Sequence, residues 1–355
     1  MNSITQTKLS RNSGMELLRI IAMLFVVLVH TDFWSLGMPT TQLMANEPSK
    51  AFMQYLVEIV SIVCVNCFIF ISGWFGIKPK IEKFIGLLFQ IIFFNFIIYF
   101  ISVAIGHEHF SLRSFFVHSN FMALWFIPPY IALYWLAPML NTFIEKAPLS
   151  SVRRVLLAFV LLNLILGWVH DYLHFVNGYS FLNFILIYLI ARYINHFNPK
   201  WSQYKIRNYI SLYILICIFF IGIIYLTYAL KPDVVNLLIK LFHYNSPIVH
   251  AASICFCLIF TKLKFQSKFV NWIAYSSFAI YLLHQDPLIG ARWMKQFCQQ
   301  LFSTHNIFYY SAAMLALTAT FFIIAILIDQ FRLNLWKIIM KSYKNKCNRK
   351  QIISE

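Results

Sequence analysis

Arg19 and His30 close the two ends of RIIAMLFVVLVH, a run that is otherwise apolar. Eleven residues make almost three turns of α-helix, so the two side chains share one face, about 16 Å apart along the axis. A guanidinium holds anionic groups through charge-assisted hydrogen bonds, and an imidazole exchanges protons near neutral pH. One helix face would thus join an anion-holding cation to a candidate general base. The same pair also reads as structural: an arginine snorkelling to the interface and a histidine bonded between helices. Glu58 falls in a second apolar run at a depth similar to His30. There it would orient an imidazole and stabilise its protonated form, unless it sits in water at the end of that run. Tyr281 and His284 occupy the end of a late apolar run, YSSFAIYLLHQDP. Ser72, Asn66, Trp125 and Tyr281 are of types that donate hydrogen bonds to an oxyanion.

The elements that must position these groups are membrane helices. Of 355 residues, 60% are hydrophobic and 12% charged, against roughly 45–50% and 25% in soluble domains. A span needs about 20 mostly apolar residues. Ten segments qualify: 17–36, 52–76, 84–105, 121–140, 152–169, 180–197, 209–230, 246–262, 269–290 and 310–330. The expected fold is therefore an all-α polytopic membrane bundle of about ten transmembrane helices. In the fourth segment, LWFIPPYIALYWLAP, Pro128, Pro129 and Pro138 are expected to break the helical ladder. Such breaks are tolerated where the freed backbone faces protein or a wet cavity. Trp125 and Tyr134 by themselves are ordinary interfacial belt residues.

Charge gives an independent test of this partition. With the N-terminus cytoplasmic, the basic residues collect on the cytoplasmic side, leaving outside only Lys50, Arg113, Lys231, Lys240, Arg292 and Lys295. That is the positive-inside pattern, and it puts both termini in the cytoplasm. The formal net charge of +17 thereby reports topology and not a nucleic-acid partner. Three regions follow: a cytoplasmic N-terminal segment (1–16), a membrane domain (17–330) and a basic cytoplasmic tail (331–355). The tail is either an interfacial helix drawn to anionic lipid or a disordered stop-transfer flank. The first apolar run is long, contains Arg19 and His30 and lacks a small-residue cleavage pattern, so it is not a cleaved signal.

Other chemistries find little support. Cys64 and Cys67 form a C-x-x-C inside an apolar run, as Cys255 and Cys257 form a close pair, and both read as small buried apolar residues. His107, His109 and His118 lack the spacing of a metal site and read as solvated loop residues, so no metal is expected. No phosphate-binding glycine loop, dinucleotide turn, G-x-S-x-G or H-E-x-x-H is present.

Four segments, in order, resemble the acyltransferase-3 family of integral membrane acyltransferases. They are MELLRIIAMLFVVLVH, FIFISGWFGIK, LWFIPPYIALYWLAPML and SSFAIYLLHQ. The resemblance implies transfer of an acyl group, usually acetyl, from cytoplasmic acyl-CoA to a hydroxyl of an envelope sugar or polysaccharide on the outer side. It matches His30 to the histidine proposed as catalytic and Arg19 to the basic residue on the CoA side. It also implies a prokaryotic inner (plasma) membrane, with acyl-CoA as co-substrate and no bound cofactor. The partners would be the lipid membrane, acyl-CoA and an envelope glycan or lipid-linked sugar. Glu58 joins His30 as a catalytic candidate, with Arg19, Trp125, Tyr281, His284 and Ser72 as substrate-binding ones. No soluble SGNH-type domain follows the spans, which favours one membrane enzyme completing the transfer or a separate soluble partner. A transporter or flippase for a glycolipid or small anion would account for the same spans and buried ionisable groups without chemistry. A structural or sensory membrane protein would leave the Arg19–His30 alignment unexplained.

The topology predicts that a green fluorescent protein fused after Glu355 fluoresces and that alkaline phosphatase fused there is inactive. The opposite pair of results would invert it.

Overall fold

The computed structural model describes residues 12–118 and 124–354. The first eleven residues of the expected N-terminal segment, with Lys8 and Arg11, lie outside the described residues. So do residues 121–123 at the start of the expected fourth span, and the last residue of the tail. The protein is 83% helical, with no strand among the described residues. This is what a chain in hydrocarbon must do, because a helix bonds its own backbone without help from water.

In chain order the helices are α1 (Ser13–Thr31), α2 (Phe33–Leu36), α3 (Thr41–Asn46), α4 (Pro48–Ser61), α5 (Cys64–Phe75) and α6 (Ile81–Ala104). Then come α7 (Leu112–His118), α8 (Ile127–Lys146), α9 (Leu149–Leu162), α10 (Phe181–Phe197) and α11 (Ile206–Leu230). The last are α12 (Pro247–Thr261), α13 (Lys268–Tyr275), α14 (Ser277–His284), α15 (Lys295–Thr304) and α16 (Ile307–Ser354). A π turn, Asn163–Val169, extends α9, and a 3₁₀ segment, Pro232–Phe242, precedes α12.

Each of the ten expected segments falls on helix, but fewer satisfy length and apolarity alone. Among the described residues six do so: Ser13–Leu36, Pro48–Phe75, Ile81–Ala104, Leu149–Val169, Ile206–Leu230 and Ile307–Tyr343. A seventh is the pair Pro232–Phe242 and Pro247–Thr261, bent by 48°. The count of ten is not established by these criteria, for three physical reasons. α8 dilutes its apolar residues with Pro128, Pro129, Pro138, Asn141 and Thr142; α10 is only 17 residues long; and the expected span 269–290 is divided into α13, α14 and a second π turn at Pro287–Met294. The prolines of α8 act differently from expectation too. Pro128 and Pro129 sit in its first turn, where no intrahelical donor is needed. Pro138 alone lies inside the helix, withdrawing the N–H that the Tyr134 carbonyl would otherwise accept.

The chain forms two compact units, one of Met1–Ile77 with Pro129–Tyr275 and one of Lys78–Pro128 with Ser276–Glu355. In the first, α1 packs against α4, α5, α12 and α13, and α5 against α10 and α12. The α4–α5 stretch is central, with 72% of its most apolar window buried, whereas only 22% is buried in Leu149–Val169 and in Ile206–Leu230. The latter two present their apolar surface outward, as lipid-facing helices do. Two helical glycines of this unit permit close approaches. A Cβ at Gly14 would lie 2.5 Å from the Leu263 carbonyl oxygen, and one at Gly73 would lie 2.6 Å from that of Tyr188. The glycine of the SGW segment is thus the contact point of α5 with α10.

In the second unit α14 packs against α6 and α16. Asp329, wholly buried, accepts from Gln90 at 2.9 Å and from Arg332 at 2.8 Å. α16 runs without interruption from its apolar part through the basic tail, so the boundary placed at 330 is a change of composition within one helix. Six cysteines, Cys64, Cys67, Cys217, Cys255, Cys257 and Cys298, are free thiols and buried.

Gly73→Ala should destabilise the protein by about 1–3 kcal/mol, as overpacking does, seen as a lower Tm in detergent. Gly222→Ala, in α11 where nothing lies within 4 Å, should be neutral or raise Tm slightly. Equal Tm values for the two variants would contradict the close α5–α10 contact.

Candidate functional site

α1 begins at Asn12, whose side chain accepts from the Gly14 N–H at 3.0 Å. It ends at Asp32, whose N–H donates to the Leu28 carbonyl at 2.9 Å. Between these caps one unbroken helix carries both Arg19 and His30, so the shared face and axial separation expected from the sequence apply. His30 is only 8% exposed. Its ring meets Trp34 edge-on at 5.8 Å, and its carbonyl accepts from the Ser35 hydroxyl at 2.5 Å. The chain therefore turns beyond the C-terminal end of α1 with Trp34 and Ser35 against His30.

Two carboxyls share that end. Glu58, on α4, is 2% exposed, which excludes a water-exposed position at the end of its run. It lies beside the Phe33 backbone N–H and within electrostatic reach of Asp32. Asp32, two residues beyond His30, is 4% exposed, with the side chain of Gln54 beside it. Gln54 itself donates to the Gly37 carbonyl at 3.3 Å, and Tyr55 to that of Pro39 at 3.3 Å, which pins the returning loop onto α4. The structure thus sets Glu58 against Phe33 and Asp32, which follow His30 in the chain, and adds Asp32 as a buried carboxyl that sequence reasoning missed. Its signal was present: an acid two residues from a candidate base, at a helix C-terminus where a cation would be the ordinary choice.

The opposite end of α1 holds a second surprise. Arg19 is ion-paired with Glu16 one turn earlier. Glu16 is buried and Arg19 partly exposed, so the cation reaches toward solvent with its charge largely balanced from within. The i, i+3 spacing in MELLR was the available sign. In the same unit, Arg192 pairs with Glu145 at 2.7 Å, and the Tyr188 hydroxyl donates to Asn141 at 2.8 Å while accepting from the Ile77 N–H at 2.9 Å. Ser72 commits its hydroxyl to the Phe68 carbonyl at 3.0 Å and lies 3.4 Å from that of Tyr130. Its bonds are those of a helix side chain near this cluster.

Trp125, Tyr281 and His284 belong to the second unit, which links them through a chain of edge-on rings. Trp125 meets Phe126 at 5.8 Å, Phe126 meets Tyr281 at 6.0 Å, and Tyr281 meets His284 at 6.2 Å. His284 is fully buried, and its Nδ1–H donates to the Ile280 carbonyl at 2.6 Å. In the neutral ring Nε2 then carries the lone pair. Among the described residues no three His, Cys, Asp or Glu side chains converge as metal ligands would.

This helical architecture, with ionisable side chains set inside apolar helices, defines a multi-pass membrane protein. The chain matches the acyltransferase-3 family, described as an acyltransferase domain, over residues 12–329, and it belongs to that family. No curated protein and no solved structure matches it.

The ion pair with Glu16 predicts that Glu16→Gln leaves the Arg19 charge uncompensated and strengthens retention of an anionic probe such as adenosine 3′,5′-bisphosphate. Isothermal titration of the purified protein would check this, and weaker retention than wild type would contradict it.

Proposed function

We propose that this acyltransferase moves an acyl group, acetyl by preference, from cytoplasmic acyl-CoA to a hydroxyl of an envelope sugar or polysaccharide on the outer side of the plasma membrane. The observation that carries the reading is the position of His30. It is a buried imidazole edge-on to Trp34, at the end of α1 where Asp32 and Glu58 are also buried, and three turns from a partly exposed arginine, in a chain of an acyltransferase family.

A neutral sugar hydroxyl is a poor nucleophile. His30 takes its proton as the oxygen attacks the thioester carbonyl, and a carboxyl beside the imidazole stabilises the resulting cation. The tetrahedral intermediate then collapses, its C–S bond breaks, and the CoA thiolate leaves and recovers the proton from His30. The sugar ester and free CoA are the products, and no acyl-imidazole forms on this direct route. Asp32 and Glu58 are positioning residues for the base. Arg19 stands at the cytoplasmic end, where the phosphates of CoA would meet it. Trp125, Tyr281 and His284 are offered as substrate-binding residues of the second unit. Of the candidate oxyanion donors, Ser72 is the least suited, because its hydroxyl bonds its own helix.

Membranes supplied with labelled acetyl-CoA should label envelope glycan with the wild type. His30→Ala at equal abundance should reduce that labelling by about 10²–10⁴-fold, the usual contribution of a positioned general base. An active, equally abundant His30→Ala protein would refute the assignment. Absence of acyl-CoA turnover by purified wild type would favour transport of a glycolipid or anion instead.

Asp32→Asn and Glu58→Gln keep the shape of each side chain. Each should lower the rate of transfer and alter its dependence on pH while leaving KM for acyl-CoA near the wild-type value. A change confined to KM would place these residues at the donor and not at the base.

A further inference from the structure

The break before α12 is a second polar interior of the first unit, which the mechanism does not use. The chain leaves its 3₁₀ segment at Phe242 and re-enters helix at Pro247. Two side-chain amides reach in to the backbone freed between them. Asn66 of α5 donates to the Tyr244 carbonyl at 3.0 Å, and Asn163 of the π turn donates to the Asn245 carbonyl at 3.0 Å. That accounts for the donor half of each amide. It leaves Asn66 Oδ1, Asn163 Oδ1, both polar atoms of the Asn245 side chain and the Ser246 hydroxyl buried with no hydrogen-bond partner. Asn66, Asn245 and Ser246 are 0% exposed and Asn163 2%.

Buried polar atoms are almost always bonded, so an unmatched group of this size on adjoining residues calls for a partner. The surroundings are held for it at some strain. Val176 and Asn177 adopt left-handed backbone angles, φ +49° and +56°, uncommon for a β-branched residue. The Asn177 carbonyl accepts from the Tyr244 N–H at 3.0 Å. A Cβ at Gly178 would lie 2.5 Å from the Asn245 nitrogen, so the two loops touch backbone to backbone. Tyr179 and Tyr244 meet edge-on at 5.1 Å beside them.

The unmatched atoms are amide oxygens, one amide NH₂ and one hydroxyl, all uncharged. An anion would require cations, and Lys240, which donates to the Val169 carbonyl at 3.4 Å, lies on the exposed side. Among the described residues no three His, Cys, Asp or Glu side chains converge there as ligands of a transition metal would. Hydroxyl groups, each donor and acceptor together, complement this set. Glu58 lies within electrostatic reach of Tyr244, which joins the cluster to the His30 end of α1.

We propose that Asn66, Asn163, Asn245 and Ser246 form a binding site for a neutral sugar ring. It rests on the acyltransferase reading only in taking that sugar to be the acceptor.

Saturation-transfer NMR on the full chain in nanodiscs, with neutral hexose and N-acetylhexosamine disaccharides as probes, tests the site directly. At least one disaccharide should bind to the wild type. Ser246→Ala and Asn245→Leu should each weaken that binding by about tenfold or more, as one or two lost hydrogen bonds imply. Folding is checked by Tm, and Ser246→Ala, which removes a single oxygen, serves if Asn245→Leu does not fold. A wild type that binds no disaccharide, leaving ordered water as the occupant, would overturn the proposal. So would folded variants that bind as well as wild type. Acyl-CoA turnover by the same samples separates the two readings: sugar binding without any turnover leaves the site standing and removes the acyltransferase mechanism.

Discussion

The hydrocarbon core of a bilayer offers no water, and every polar group placed there must find its partner within the protein. Most features of this chain follow from that constraint. Helices satisfy the backbone, and where a helix breaks before α12 the amides of Asn66 and Asn163 bond the carbonyls released. Asp329 is wholly buried but held by Arg332 and Gln90. Arg192 finds Glu145, and Arg19 finds Glu16. Other buried polar atoms have no hydrogen-bond partner, among them carboxyl oxygens of Asp32 and Glu58, the atoms around Asn245, Arg192 Nε, Ser277 Oγ and the Tyr281 hydroxyl. A ligand or a reacting group is the natural partner for what the fold leaves over.

α1 is the organising element of the first unit because it does two jobs at once. Its apolar faces pack against four neighbours, close enough at Gly14 that no side chain would fit. Its shared polar face carries Arg19 near one end and His30 at the other. Rigidity matters for the second job, since a base held by packing on all sides keeps its aim without reorganising during reaction. Beyond the helix end, Trp34 meets the His30 ring edge-on and Ser35 bonds the His30 carbonyl, and His30 is 8% exposed.

Much of this was legible before any coordinates. Apolar run lengths and the placement of Lys and Arg gave the membrane class, and the runs coincide with helices. The spacing of Arg19 and His30 survived intact because nothing in the run between them interrupts a helix. What could not be read was tertiary. Asp32 was not singled out from the sequence, and its burial beside Gln54 shows only in the fold. Glu16 was not singled out from the sequence either, and its burial shows only in the fold. The cluster around Asn245 had no motif at all, because asparagines scattered over residues 66, 163 and 245 meet only after α5, the π turn and the break come together. The count of ten spans is not established by length and apolarity, because composition does not show that α13 and α14 divide one apolar run.

The central claim is that the reaction is completed across the membrane by one protein with donor and acceptor on opposite sides. Reconstitution in sealed liposomes tests it most directly, with labelled acetyl-CoA outside, a neutral glycan acceptor trapped inside, and vesicles selected for an outward-facing cytoplasmic side. The account predicts labelled glycan in the lumen, with CoA released outside and no acetyl-CoA entering. Label that forms only when donor and acceptor share one side of the membrane would contradict it.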